Sequence, residues 1–139
     1  MASMELLKMI NQAISNELQV SIQYMWQHVC WSGVKSFAVN SELKNIAIME
    51  MKHAEIIAER LFYLGEKPTV NPSKVIVGET LKEMFEQNIK DEEKTISLYK
   101  QIIQKAKDEG DLSTAHIFNR ILLEEEEHHD FFISIVEDL

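Results

Sequence analysis

Apolar positions along this chain recur at three- and four-residue intervals, the period of one face of an α-helix. Glycine and proline are scarce, and they divide the periodic sequence into four stretches. The first runs from Ser3, a good N-cap, to about Ser32-Gly33. The second follows Asn40 or Ser41 as cap and ends at Leu64-Gly65, where Gly65 suits the residue just past a helix C-terminus. The third begins near Gly78-Glu79 and ends near Lys107. Glu109-Gly110-Asp111 makes a tight turn, and the fourth stretch runs from about Leu112 almost to Leu139. Residues 66–77 hold both prolines, Pro68 and Pro72, and form the one long connection. Short, long and short connections predict an all-α four-helix bundle with one crossover between the second and third helices. A single domain of this kind accounts for residues 1–139.

On a helical wheel of about 100° per residue, each apolar stripe is centred on a glutamate. Leu43, Ile46, Ala54, Ile57, Leu61 and Leu64 lie within about 40° of Glu50. Phe118, Ile121, Phe132 and Val136 surround Glu125 in the same way. Glu17 has Leu6, Ile10, Ala13, Tyr24 and His28 beside it; Glu92 has Leu81, Phe85, Ile96, Tyr99 and Ile103. His53 and His128 each follow a central glutamate by three residues, about 60° to one side. The pattern also repeats: 33 residues separate Glu17 from Glu50 and Glu92 from Glu125, and Tyr24 and Tyr99 each follow their glutamate by seven. The chain reads as two helix pairs, each Glu…Tyr and then Glu-x-x-His.

Taken singly, each feature has an ordinary explanation. A Glu-x-x-His pair is usually solvated, a Glu124–Glu127 run is usually surface, and Tyr24 would be a core aromatic. Together they place four carboxylates in an apolar core, with no lysine or arginine at any stripe centre to pair with them. Unpaired burial costs several kcal/mol per charge. Two divalent cations would neutralise four glutamates and two neutral histidines, and a donor set without thiolate suits iron or manganese, with zinc also able to bind. In the Glu124–His129 run, Glu126 with His129 has the same spacing as Glu125 with His128. Glu126 falls about 100° off the stripe centre, so Glu125 is the expected donor. His129 remains a candidate supporting donor or spare ligand.

Charge and composition narrow the partners. The net charge of −9 disfavours nucleic acid and anionic membranes and favours cations. No run is long and apolar enough for a membrane span, and no basic segment precedes an apolar signal core, so a cytoplasmic protein is expected. Cys30 is the single cysteine, which excludes an internal disulfide or a thiolate-rich metal site. The first helix carries Leu18, Ile22, Met25, Trp26 and Val29 off its core stripe, and the second carries Ile48, Met51 and Phe62. These predict a homo-oligomer, at least a dimer through the first two helices.

These motifs resemble those of the bacterioferritins, within the ferritin-like bundles that hold two metals with a Glu from each of two helices and Glu-x-x-His from the other two. Asn16-Glu17-Leu18, Gln23-Tyr24, Glu50-Met51-Lys52-His53-Ala54, Val77-Gly78-Glu79, Glu83-Met84 and the Ile121-to-Asp130 segment carry the likeness. The resemblance implies a ferritin-like fold with two iron ions per chain. Glu17, Glu50, His53, Glu92, Glu125 and His128 match the ferroxidase ligands, Glu50 and Glu125 the bridging carboxylates, and Tyr24 a tyrosine beside the centre. It implies oxidation of Fe2+ by O2 or H2O2 for storage or detoxification, and assembly into a larger cage. Family members also bind haem at the dimer interface through a methionine, the position of Met51; the alternative for Met51 is plain interface packing. One departure is that only 11 residues follow His128, where the family continues into a fifth helix. A rubrerythrin-like peroxidase with a separate electron donor, or a non-enzymatic metal-bound dimeric bundle, are the rival readings.

Overall fold

The computed structural model describes residues 2–139 as four helices: α1 (Met4–Cys30), α2 (Ser36–Tyr63), α3 (Leu81–Asp108) and α4 (Leu112–Glu137). No strand occurs among the described residues. Local chemistry sets most boundaries. The Ser3 hydroxyl caps α1 by accepting from the Leu6 amide, and Asp111 caps α4 by accepting from Thr114. Thr80 and Glu83 form a reciprocal capping box at the start of α3. α2 and α3 end alike. Gly65 and Gly110 take positive φ, and the next residues donate back to Leu61 and Ala106. This closes the last carbonyls of each helix.

The start of α2 differs from expectation. Neither Asn40 nor Ser41 caps it; the helix begins at Ser36, and its Lys35 N-cap makes no side-chain bond. Ser36 instead donates to the Gly33 carbonyl at 2.7 Å. Val39, buried, extends the apolar stripe one turn upstream of Leu43, and that burial outweighs the better capping residues.

α1 packs along α2 and α3 along α4, α1 also faces α3, and α2 and α4 touch least. The residues between α2 and α3 run along a polar strip of α1. The Thr69 amide donates to Asn11, that of Ser73 to the Ser15 carbonyl and that of Ile76 to Gln23, while Gln27 donates to the Val77 carbonyl. This strap carries the chain back, so α3 starts beside the start of α2.

The core falls into two apolar clusters. One joins Leu6, Ile10, Ile57, Leu61, Tyr99, Ile102, Phe118 and Ile121, among others. The second joins Val20, Tyr24, Leu43, Ile46, Phe85 and Phe132, among others. On every helix the central glutamate lies between the residues of the two clusters. The bundle is therefore apolar at both ends of its core and charged at its waist.

Candidate metal centre

Each helix contributes to that waist. Glu17 comes from α1, Glu50 and His53 from α2, Glu92 from α3, and Glu125 and His128 from α4. All are buried, the four carboxylates almost completely. Their donor atoms form two groups, each with all atoms within 4.8 Å: Glu17, Glu50, His53 and Glu125, and Glu50, Glu92, Glu125 and His128. Glu50 and Glu125 belong to both. His53 Nδ1 lies 2.7 Å from Glu125 Oε1, 3.0 Å from Glu50 Oε1 and 3.5 Å from Glu17 Oε2. His128 Nδ1 lies 3.4 Å from Glu50 Oε1 and 3.6 Å from Glu125 Oε2.

Two tyrosines cross the bundle with the pseudo-symmetry of the repeat. The Tyr24 hydroxyl on α1 donates to Glu92 Oε1 on α3 at 2.8 Å. That of Tyr99 on α3 donates to Glu17 Oε1 on α1. Tyr24 was the expected neighbour; Tyr99 stands in an equivalent place, and its seven-residue offset from Glu92 was the signal for it. His53 Nε2 lies 2.5 Å from Glu124 Oε2, a contact that the sequence did not suggest. His129 is not a supporting donor: its Nε2 meets Glu93 at 3.1 Å on the surface. Glu126 is exposed, and His28 joins the Asn40 carbonyl away from the waist.

Proton affinities reflect crowding of like charge. Burial, then the neighbouring Glu125 and Glu50, push Glu17 and Glu92 well above the ordinary carboxylate range. Burial opposes charge on Glu125 too, but the adjacent Glu92, His128 and His53 side chains outweigh it and hold its pKa low. Burial would lower both histidines. The carboxylates around them win, pushing His128 up to about 10 and raising His53 as well. Burial followed by nearby carboxylates raises Tyr24 and Tyr99, so both hydroxyls keep their protons.

The donors fit a divalent pair. Glu17 Oε2, both oxygens of Glu50, Oε2 of Glu92 and of Glu125, and His128 Nδ1 are buried without a hydrogen-bond partner among the described residues. Buried polar atoms are rarely left so. These orphans converge on one another, and oxygen with imidazole nitrogen suits a hard to borderline dication.

Four helices with one long crossover, enclosing a waist of glutamate and Glu-x-x-His donors, define a ferritin-like carboxylate bundle. A family model described as the ferritin-like domain matches residues 7–139. The bacterioferritin of Desulfovibrio desulfuricans is 35% identical over 132 residues, covering 94% of this chain and 74% of that protein. A solved structure of that bacterioferritin, described with its diiron site in different catalytic states, matches with a TM-score of 0.89 at 34% identity, over 96% of this chain and 78% of that one. A ferritin-like diiron-carboxylate protein from Bacillus anthracis matches in fold with a TM-score of 0.92 at 23% identity, over 95% of each chain. The chain belongs to the bacterioferritin family of ferritin-like proteins.

Proposed function

We propose that this protein is an iron-storing bacterioferritin that takes two Fe2+ as substrate at its waist and oxidises them there. The observation that carries the reading is the convergence of unpartnered buried donors on two adjoining positions that share Glu50 and Glu125. Glu17 and His53 would serve one iron, Glu92 and His128 the other. Two Fe2+ supply two electrons, enough with two protons to reduce O2 to H2O2 or H2O2 to water. The chain's own part is to hold both ions close together, to keep bulk water out with the two apolar clusters, and to fix the terminal glutamates through Tyr99 and Tyr24.

Assembly belongs to the same proposal. Trp26, Val29, Ile48, Met51 and Phe62 are exposed on α1 and α2. Between these helices lies an almost wholly apolar cavity of about 390 Å3, lined by Ile22, Met25, Trp26, Ile48 and Met51 among others. A second copy covering this face would form the dimer, and Met51 from each copy would ligate haem there.

Stopped-flow oxidation of Fe2+ with O2 and with H2O2, alongside native mass, tests the proposal. Saturable oxidation by an oligomer supports it. A monomer that binds metal without oxidising Fe2+ contradicts it and marks a metal-stabilised bundle.

A further inference from the structure

The two halves of the centre share a pattern of donors, yet their histidines are held differently. His53 is engaged at both ring nitrogens: Nδ1 faces the shared carboxylates and Nε2 meets Glu124 at 2.5 Å. His128 has no such second partner among the described residues. Its Nδ1 makes no hydrogen bond, and its ring helps wall a cavity of about 280 Å3 between α2 and α4. Glu124 is 44% exposed and lines that same cavity, so one edge of its carboxylate holds His53 while the rest stays wet.

The chemistry of imidazole gives this contact a consequence. A neutral ring carries one proton, and a metal needs the other nitrogen free. A carboxylate at Nε2 makes that nitrogen the donor. Once the ring gives up its second proton to bind metal, Nδ1 is left with its lone pair aimed at the position bounded by Glu17, Glu50 and Glu125. Such a partner also fixes the ring plane and raises the basicity of the ligating nitrogen. Without it, the tautomer with the proton on Nδ1 competes with metal, and the ring is freer to turn.

We propose that Glu124 is the positioning residue of His53, and that it makes the Glu17–His53 position the tighter of the two metal positions and the Glu92–His128 position the more readily exchanged. This rests on the di-metal reading above and breaks the equivalence that the sequence repeat suggests. Glu124 belongs to neither donor group and acts only through the ring of His53.

The test is titration with Co2+, followed by its visible absorption, on the oligomer of wild type, Glu124→Ala, Glu124→Gln and Glu127→Ala. Glu127 borders the same cavity but makes no hydrogen bond to His53, so it controls for simple loss of charge. Wild type should bind a first ion more tightly than a second. Glu124→Ala should weaken the first step by about 10- to 100-fold, bringing the two steps together, since loss of an outer-sphere partner has effects of that order. Glu124→Gln keeps an acceptor oxygen and should recover most of the loss, and Glu127→Ala should leave the first step in place. In 15N-labelled protein loaded with Zn2+, a slowly exchanging His53 Nε2 proton should be visible in wild type and Glu124→Gln and lost in Glu124→Ala. An unchanged first step in Glu124→Ala, equal weakening of both steps, or a His53 Nε2 proton that survives would overturn the assignment. Wild type that binds no Co2+ would instead sink the di-metal reading, and this inference with it.

Discussion

Loading the centre with a divalent metal at pH 7 should release about four protons per chain. The six donors are buried, and among the described residues no lysine or arginine forms an ion pair with any of them. A net buried charge would cost several kcal/mol, so the metal-free cluster approaches neutrality by holding protons. His128, pushed up to about 10, and the raised His53 each hold a second ring proton at pH 7. Their two positive charges cancel half of the charge on four carboxylates. Burial and the neighbouring Glu125 and Glu50 raise Glu17 and Glu92, so that pair is where protons are expected to cancel the other half. Two dications then replace those protons with no change in net charge. Calorimetric titration with Co2+ in two buffers of different ionisation enthalpy counts the protons from the difference in apparent heat. Because protons are products, affinity must rise with pH, the overall two-ion constant by roughly 10⁴-fold per pH unit near pH 7 if about four are released. Release of fewer than about two protons, or an affinity that falls as pH rises, would show that the metal-free cluster is not neutralised by protons.

Other predictions concern the frame around the centre. Phe118→Ala empties a fully buried site against the Tyr99 ring, at 5.1 Å between centroids, and should cost about 3–5 kcal/mol in urea unfolding of the metal-free protein; a cost under about 1 kcal/mol would contradict the packing. Tyr99→Phe strips Glu17 of its hydroxyl donor and should cost about 1–3 kcal/mol, with Tyr24→Phe costing a similar amount at Glu92; a silent Tyr99→Phe beside a costly Tyr24→Phe would show that the two are not equivalent. Asp111 caps α4 and pairs with Arg60 at 2.9 Å; burial would raise its pKa, but Thr114 and Arg60 outweigh burial and hold it low. Its stabilisation is therefore present above the unfolded value of about 3.9 and lost as pH falls through the lower folded value. Asp111→Ala should lose about 1–2 kcal/mol near pH 7, and its deficit against wild type should shrink below about pH 4.

Much of this arrangement was legible in the sequence because a helix converts spacing into angle. Glu50 and Glu125 lie at the centre of apolar stripes, and a stripe centre has nowhere to go but the core. The same wheel separates Glu125 from Glu126, and the structure puts the first inside and the second in water. What escaped depends on how helices face one another. The wheel puts Glu124 off the stripe of α4, but not on the flank that meets His53 of α2. His129 is close to the stripe by angle, yet that flank reaches Glu93 of α3. The start of α2 was misplaced because Asn40 and Ser41 are good caps in isolation. Burial of Val39 one turn earlier decided the matter, and it is a tertiary effect that capping preference does not register.

Everything proposed for this protein depends on six residues from four helices holding two metals that share Glu50 and Glu125. The decisive measurement is titration of Fe2+ under anaerobic conditions, or of Co2+, into wild type, Glu125→Ala and Glu126→Ala. Saturation near two ions per chain is expected, matching the two donor groups, with both positions impaired in Glu125→Ala and both retained in Glu126→Ala. Saturation at one ion or none in wild type, or loss of binding in Glu126→Ala with Glu125→Ala intact, would contradict it.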